Sequence, residues 1–350
     1  MMLHTEKLTV ISGRFFTQVS EDTVKCELCP RRCVLPEGRA GSCKVRINHG
    51  GKGDIPYYGY ITARAFDPIE KKPLYHFRPG SQILSLGFAG CNLHCPFCQN
   101  WHISQSTDAS GQVFSAAEII NAVKNSTETA QPSIAYTYSE PLVHIEFLLD
   151  CMKEAHKAGI ANVLVSNGCV NSEAAAEILL LTDAANIDLK CFSEETYRKV
   201  LGGDLKAVTA FIRMAVEKGV HLELTTLIVT GLNDSKAELE KCKDFIAELE
   251  TGENYVPWHL SAYHPDYKWQ APATSPQVIV AAVKAAKEKL SFVYAGNIAG
   301  DNDTFCPFCE KKIIGRRGYR IDTSGLSIKK EKGINSYYCA SCGKKAPVYY

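Results

Sequence analysis

From about residue 82 the chain alternates short apolar runs with longer stretches whose apolar residues recur at helical spacing. That pattern predicts consecutive βα units feeding a parallel sheet, because a strand covered on both faces reads as a short continuous apolar run. Seven strands are expected: Ile83 to Phe88, Ser133 to Tyr138, Asn162 to Ser166, Ala185 to Leu189, His221 to Val229, Trp258 to Tyr263 and Phe292 to Tyr294. Helix punctuation falls between them. Ser115 lies three residues before Glu118 as a capping box, and Gly159 and Gly219 follow final turns that contain lysine. Parallel strands with right-handed helical crossovers curl into a partial or full TIM-type (β/α) barrel, which carries its chemistry at the carboxyl ends of the strands. The expected fold class is therefore α/β.

The rhythm is missing from both flanks. Residues 1–80 are rich in Cys, Gly, Pro and Arg, and residues 301–350 in Cys and Lys, so a barrel over 81–300 with two small metal-binding appendages is expected. Charge changes the picture little: 39 basic against 38 acidic side chains give no broad attraction to nucleic acid or anionic membrane. Met1 to Lys7 lacks the layout of a signal peptide, and no apolar run approaches the roughly 20 residues of a membrane helix, so a soluble, cytoplasmic protein is expected.

Cysteine changes the picture most. Eleven of the fifteen fall into three groups: Cys26, Cys29, Cys33 and Cys43; Cys91, Cys95 and Cys98; and Cys306, Cys309, Cys339 and Cys342. In a chain of this size without a signal, such groups point to metals rather than disulfides. Cys151, Cys169, Cys191 and Cys242 read as packing residues. The last group is a pair of C-x2-C knuckles, the arrangement of a zinc ribbon. Arg316, Arg317 and Arg320 between the knuckles read as a solvated basic surface. The first group has ligands enough for zinc or for an auxiliary iron-sulfur cluster; its spacing does not choose between them, and zinc is the preferred expectation because the short segment needs a staple and nothing in the sequence shows a second redox step.

The middle group follows the first barrel strand. Three thiolates on a four-iron cube leave one iron open, whereas a structural zinc site closes with four ligands. The spacing C-x3-C-x2-C after a strand of a βα protein resembles the signature of the radical S-adenosylmethionine superfamily. That resemblance implies a 4Fe-4S cluster on Cys91, Cys95 and Cys98, S-adenosylmethionine chelated at the open iron, and reductive cleavage to a 5′-deoxyadenosyl radical. It further implies that Phe97 lies at the adenine and that Ser139 and Glu140, after the second strand, hold the cofactor's ammonium. A carboxylate and a hydroxyl suit a charged amine. Tyr138-Ser139-Glu140-Pro141 departs from the family's Gly-Gly-Glu-Pro at its first two positions. By the same resemblance Ser166 and Asn167 contact cofactor or ribose, Asp188 and Lys190 face the cofactor or a peptide, and Ile228 lies near the adenine. His259 and Tyr263 are substrate-side candidates at the rim.

Two further stretches narrow the resemblance. Cys26-Glu27-Leu28-Cys29-Pro30 with Gly38-Arg39-Ala40-Gly41-Ser42-Cys43-Lys44-Val45-Arg46, and Asp67 to Phe77 with Cys98-Gln99-Asn100-Trp101, resemble the AmmeMemoRadiSam system radical enzymes, a branch near the pyruvate formate-lyase activating enzymes. This implies an oxidoreductase served by a flavodoxin- or ferredoxin-type electron donor, with Memo-like and AMMECR-like companions. A protein or peptide substrate with a glycyl hydrogen is the first expectation. A small-molecule or RNA substrate, or a non-catalytic metal protein serving interaction or electron transfer, are the alternatives.

Overall fold

The computed structural model describes residues 8–107, 109–300, 302–331 and 334–349. The seven amino-terminal residues on which the targeting expectation rests lie outside that set. At the centre is an eight-stranded sheet: β1 (Ala63–Pro68), β2 (Gln82–Gly87), β3 (Ser133–Thr137), β4 (Ala161–Ser166), β5 (Ala184–Asp188), β6 (His221–Ile228), β7 (Trp258–Ala262) and β8 (Val293–Gly296). Its strands lie in sequence order, parallel from β2 to β8. All seven expected strands are present within two residues of their expected ends.

The eighth, β1, pairs antiparallel with β2, with Ala63 opposite Gly87 and Pro68 opposite Gln82. It lies ahead of the expected boundary at residue 80, so the amino-terminal region contributes an edge strand to the sheet. No pairing joins β1 to β8 among the described residues, which leaves the sheet an open, curled one with two edges.

Strand interiors are buried on both faces, as in β3, where every residue is buried. The covering helices are α1 (Ala116–Lys124), α2 (Ile145–Lys157), α3 (Ser172–Leu179), α4 (Leu205–Glu217), α5 (Lys236–Leu249) and α6 (Pro276–Ala286). Ser115 and Glu118 form the expected capping box, each side chain meeting the other's backbone N–H. Gly159 and Gly219 take φ of 70° and 74°, the left-handed stop that a Cβ would strain. No helix among the described residues is long and apolar enough to cross a membrane.

Both flanks are pinned to the sheet. Arg46, 1% exposed, reaches α2 and pairs with both Glu146 oxygens at 3.0 Å. At the other end Tyr349 N–H donates to the His76 carbonyl and Arg78 N–H to the Tyr349 carbonyl, at 2.8 and 2.7 Å. The tail thereby covers the segment that connects β1 to β2.

Candidate functional site

The loop after β2 carries Cys91, Cys95 and Cys98 over the carboxyl ends of the strands. It is fixed from several sides. Asn92 donates to the Cys169 carbonyl at 2.7 Å and accepts from Asn167 at 2.9 Å, and His94 N–H donates to the Leu201 carbonyl at 2.8 Å. Burial pushes the Cys91 thiol well up and that of Cys95 up to about 12, so without a metal these sulfurs hold their protons. The Cys91 sulfur also accepts from Leu93 N–H at 3.3 Å and from the Asn167 amide at 3.7 Å, donors of the kind that tune an iron-sulfur centre.

A cavity of about 270 Å³ opens beside this loop, and four further strand ends supply its wall. Ser139 and Glu140 follow β3, Asn167 follows β4, Asp188 closes β5 with Lys190 just beyond it, and Thr225 and Leu227 project from β6. Glu140 is 1% exposed. One of its oxygens accepts from Ser166 Oγ at 2.7 Å and Leu142 N–H at 3.0 Å, the other from Asn167 N–H at 2.8 Å. Even so, burial raises its carboxyl to about 7. Burial alone would pull the Lys190 ammonium down, but the Asp188 carboxylate, at 3.0 Å, holds it above its usual range. Three clustered thiols and a buried carboxylate short of positive charge fit an iron-sulfur cluster that binds a cofactor bearing an amine.

Most expected site residues meet here. Phe97 lines the cavity, Ser139 Oγ is anchored on the Phe88 carbonyl at 2.7 Å, and Ser166 acts one step back through Glu140. Ile228 does not line the cavity: strand alternation turns Leu227 and Thr225 inward and packs Ile228 in the core. Tyr263 is 1% exposed and donates to the Trp269 carbonyl at 2.5 Å, so it braces a loop and lines neither this cavity nor its neighbour.

His259 lies in the adjoining space, a cleft of about 450 Å³ that shares Pro73, Tyr138, Ser261 and Asn297 with the first cavity. This cleft was not legible from motifs. Its wall is the segment from Asp67 to Tyr75, and Tyr138 stands between the two spaces with its hydroxyl donating to Asp67 at 2.7 Å. Glu223, fully buried on β6, organises the wall from behind. It accepts from Tyr75 and His76 N–H and meets His221 and His259 at 3.0 and 2.7 Å. Arg316 corrects the expectation of a solvated surface. It is 3% exposed, lies over the Tyr75 ring at 4.4 Å, and donates to the Tyr75 and Asn302 carbonyls. Glu70 Oε2 and Arg316 Nε, on cleft-lining residues, are buried and find no hydrogen-bond partner among the described residues.

The outer cysteines differ in geometry. Cys306 and Cys342, and Cys309 and Cys339, approach to 3.7 Å between sulfurs, close to the ~3.8 Å that four ligands at 2.3 Å from one tetrahedral ion require. Among the described residues they alone bring three or more such ligand atoms within 4.8 Å of one another. Cys26, Cys29, Cys33 and Cys43 do not draw together in that way. Cys151, Cys169, Cys191 and Cys242 are buried, as expected of packing residues.

The Radical SAM superfamily profile matches residues 86–246. The chain is 35% identical over 341 residues to an uncharacterized protein of Methanocaldococcus jannaschii, covering 95% of this chain and 98% of that one. It is 26% identical over 182 residues to the pyruvate formate-lyase-activating enzyme of Clostridium pasteurianum, covering 49% of this chain and 73% of that enzyme. Among solved structures, a domain of the pyruvate-formate lyase-activating enzyme from Bacteroides vulgatus aligns with a TM-score of 0.41 at 20% identity, over 47% of this chain and 99% of that domain. The chain carries a radical S-adenosylmethionine domain. It is an enzyme of that class, homologous to pyruvate formate-lyase activating enzymes, and the domain implies a 4Fe-4S cluster and S-adenosylmethionine.

Proposed function

We propose that this chain cleaves S-adenosylmethionine reductively at Cys91, Cys95 and Cys98 and uses the product to take a hydrogen atom from a substrate in the adjoining cleft. The observation that carries this reading is the single cavity shared by the three thiols with Glu140, Asn167, Asp188 and Lys190. When bound, the cluster and cofactor supply a one-electron cleavage that yields a 5′-deoxyadenosyl radical, chemistry that no side chain provides. The chain's own part is positioning. Glu140 offers a carboxylate to the cofactor's ammonium, oriented by Ser166 and by Asn167 N–H. Phe97 and Leu227 supply apolar wall, and the Asp188–Lys190 pair sets the charge at the mouth. Tyr138 separates the cofactor's space from the substrate's.

A one-electron donor of flavodoxin or ferredoxin type would serve it in the cytoplasm. Zinc would close the four-thiol ribbon, as its sulfur spacing supports. The AmmeMemoRadiSam assignment, with Memo-like and AMMECR-like companions, rests on the stretches at 26–46 and 67–77. The activating enzymes among the relatives support a glycyl residue of a protein as hydrogen donor. A small polar molecule is favoured instead by the cleft, whose lining includes Asp67, Lys71, His259 and Asn302. Anaerobic chain, dithionite and cofactor should yield 5′-deoxyadenosine, and Cys95→Ala should yield none. Deuterium passing into that product from a labelled candidate identifies the substrate, and absence of any 5′-deoxyadenosine from the parent chain refutes the reading.

A further inference from the structure

The amino-terminal thiols have no part in the site described above, yet the fold gathers them. Two tight turns present them: Arg32 N–H closes on the Cys29 carbonyl at 3.1 Å, and Lys44 N–H on the Gly41 carbonyl at 2.8 Å. Cys26 N–H donates to the Cys33 carbonyl at 2.9 Å, which brings the first and third cysteines back to back. A Cβ on Gly41 would lie 3.8 Å from both the Cys33 and the Cys43 sulfur, so those sulfurs are at most twice that distance apart, with glycine leaving the space between them open. Cys29 opens the first of these turns, whose closure by Arg32 leads directly into Cys33.

The spread of the sulfurs distinguishes the ligand. Zinc holds its thiolates about 3.8 Å apart, whereas a four-iron cube holds them about 6 Å apart. The ribbon thiols have the first spacing. No three of Cys26, Cys29, Cys33 and Cys43 lie within 4.8 Å of one another, and the same is true of Cys91, Cys95 and Cys98, the set assigned to a four-iron cluster. We propose that Cys26, Cys29, Cys33 and Cys43 hold a second 4Fe-4S cluster, closed by four thiolates and therefore without an open iron.

Its surroundings suit an anionic cluster. The Arg46 guanidinium interacts with Cys26 and Cys43 from the buried side. The site abuts the first cluster's loop. Arg31 Nε donates to the Asn92 carbonyl at 3.1 Å, Ser42 Oγ meets His94 Nε2 at 2.6 Å, and a Cβ on Gly90 would collide with the Cys43 carbonyl at 2.4 Å. Only glycine at position 90 lets the two loops approach so closely.

The test uses the full-length chain, reconstituted anaerobically with iron and sulfide, and does not depend on catalysis. The parent should hold about eight irons and the Cys91→Ala/Cys95→Ala/Cys98→Ala variant about four, with matching sulfide. The reduced triple variant should still show the electron paramagnetic resonance of a four-iron cluster. A Cys29→Ser/Cys33→Ser variant should lose half the parent's iron while its zinc content stays unchanged. A triple variant free of iron, or a parent with four irons and a second zinc, overturns the proposal. Because the triple variant cannot make 5′-deoxyadenosine, its result stands apart from that of the proposed reaction.

Discussion

The Tyr138 hydroxyl donates to Asp67 at 2.7 Å, and this bond ties the end of β3 to the edge strand β1 at the point where the two cavities meet. Lys72, 2% exposed, approaches the same Asp67 oxygen at 2.9 Å and lies over the Tyr138 ring at 4.5 Å. Burial opposes ionisation of Asp67, but Tyr138 and Lys72 hold its carboxyl well below the usual range. Its stabilising contribution is therefore present above the ordinary aspartate value and lost as pH falls through the depressed one. Asp67→Asn should lower unfolding free energy by about 3 kcal/mol by stranding Lys72, and Tyr138→Phe by about 1 kcal/mol. Urea titrations of the two variants measure the difference.

At Glu140 the pH dependence has the opposite sign. Its raised carboxyl is neutral below about 7, so affinity for S-adenosylmethionine should increase as pH rises through that value and then level off. The same shift stabilises the fold fully below the ordinary glutamate value, a contribution lost as pH rises through about 7. Glu140→Gln should weaken cofactor binding by about tenfold, or 1.4 kcal/mol, and flatten the pH profile. Calorimetry on iron-loaded protein reads both.

Glu223 meets two backbone N–H groups and two histidines with no exposed surface of its own. Glu223→Gln should cost about 3 kcal/mol or more, because it removes the charge and leaves one amide group facing donors. Hydrogen exchange should show the loss first at Tyr75 and His76.

Disrupting the carboxyl-terminal group of four thiols should be felt beyond it. Cys339→Ala, or a chelator, should raise exchange at 304–317 and also at 75–78, since Arg316 and Tyr349 bond to that segment. Unchanged exchange at 75–78 would show that the tail merely rests on the sheet.

The sequence made the parallel strands legible because each is a continuous apolar run bounded by helix caps. It did not reveal β1: Ala63-Arg64-Ala65-Phe66-Asp67-Pro68 mixes charge with small residues, as an edge strand can, and only its partner completes it. The thiols and Glu140 were legible from spacing and from their place after strands. Glu223 was not, since its partners Tyr75 and His76 lie about 150 positions away and no local pattern records them. Arg316 misled for the related reason that a basic residue between knuckles looks solvated until the aromatic faces beneath it are known. Ile228 shows the limit of strand ends as a guide, for one residue of shift along a strand turns a side chain from cavity to core, whereas Tyr263 lies past the end of β7 and is drawn to the Trp269 carbonyl.

The burial of Arg316 bears on how this enzyme could be divided or inherited. A cut at residue 300 follows the change in composition, yet it would pull a guanidinium from over the paired rings of Tyr75 and Tyr294 and leave the wall of the cleft unbraced. The ribbon is thus a keystone rather than cargo. A homologue lacking it would need another cation in that slot, and a graft of the sheet and its helices alone onto another protein would leave the segment from Asp67 to Tyr75 without its outer support.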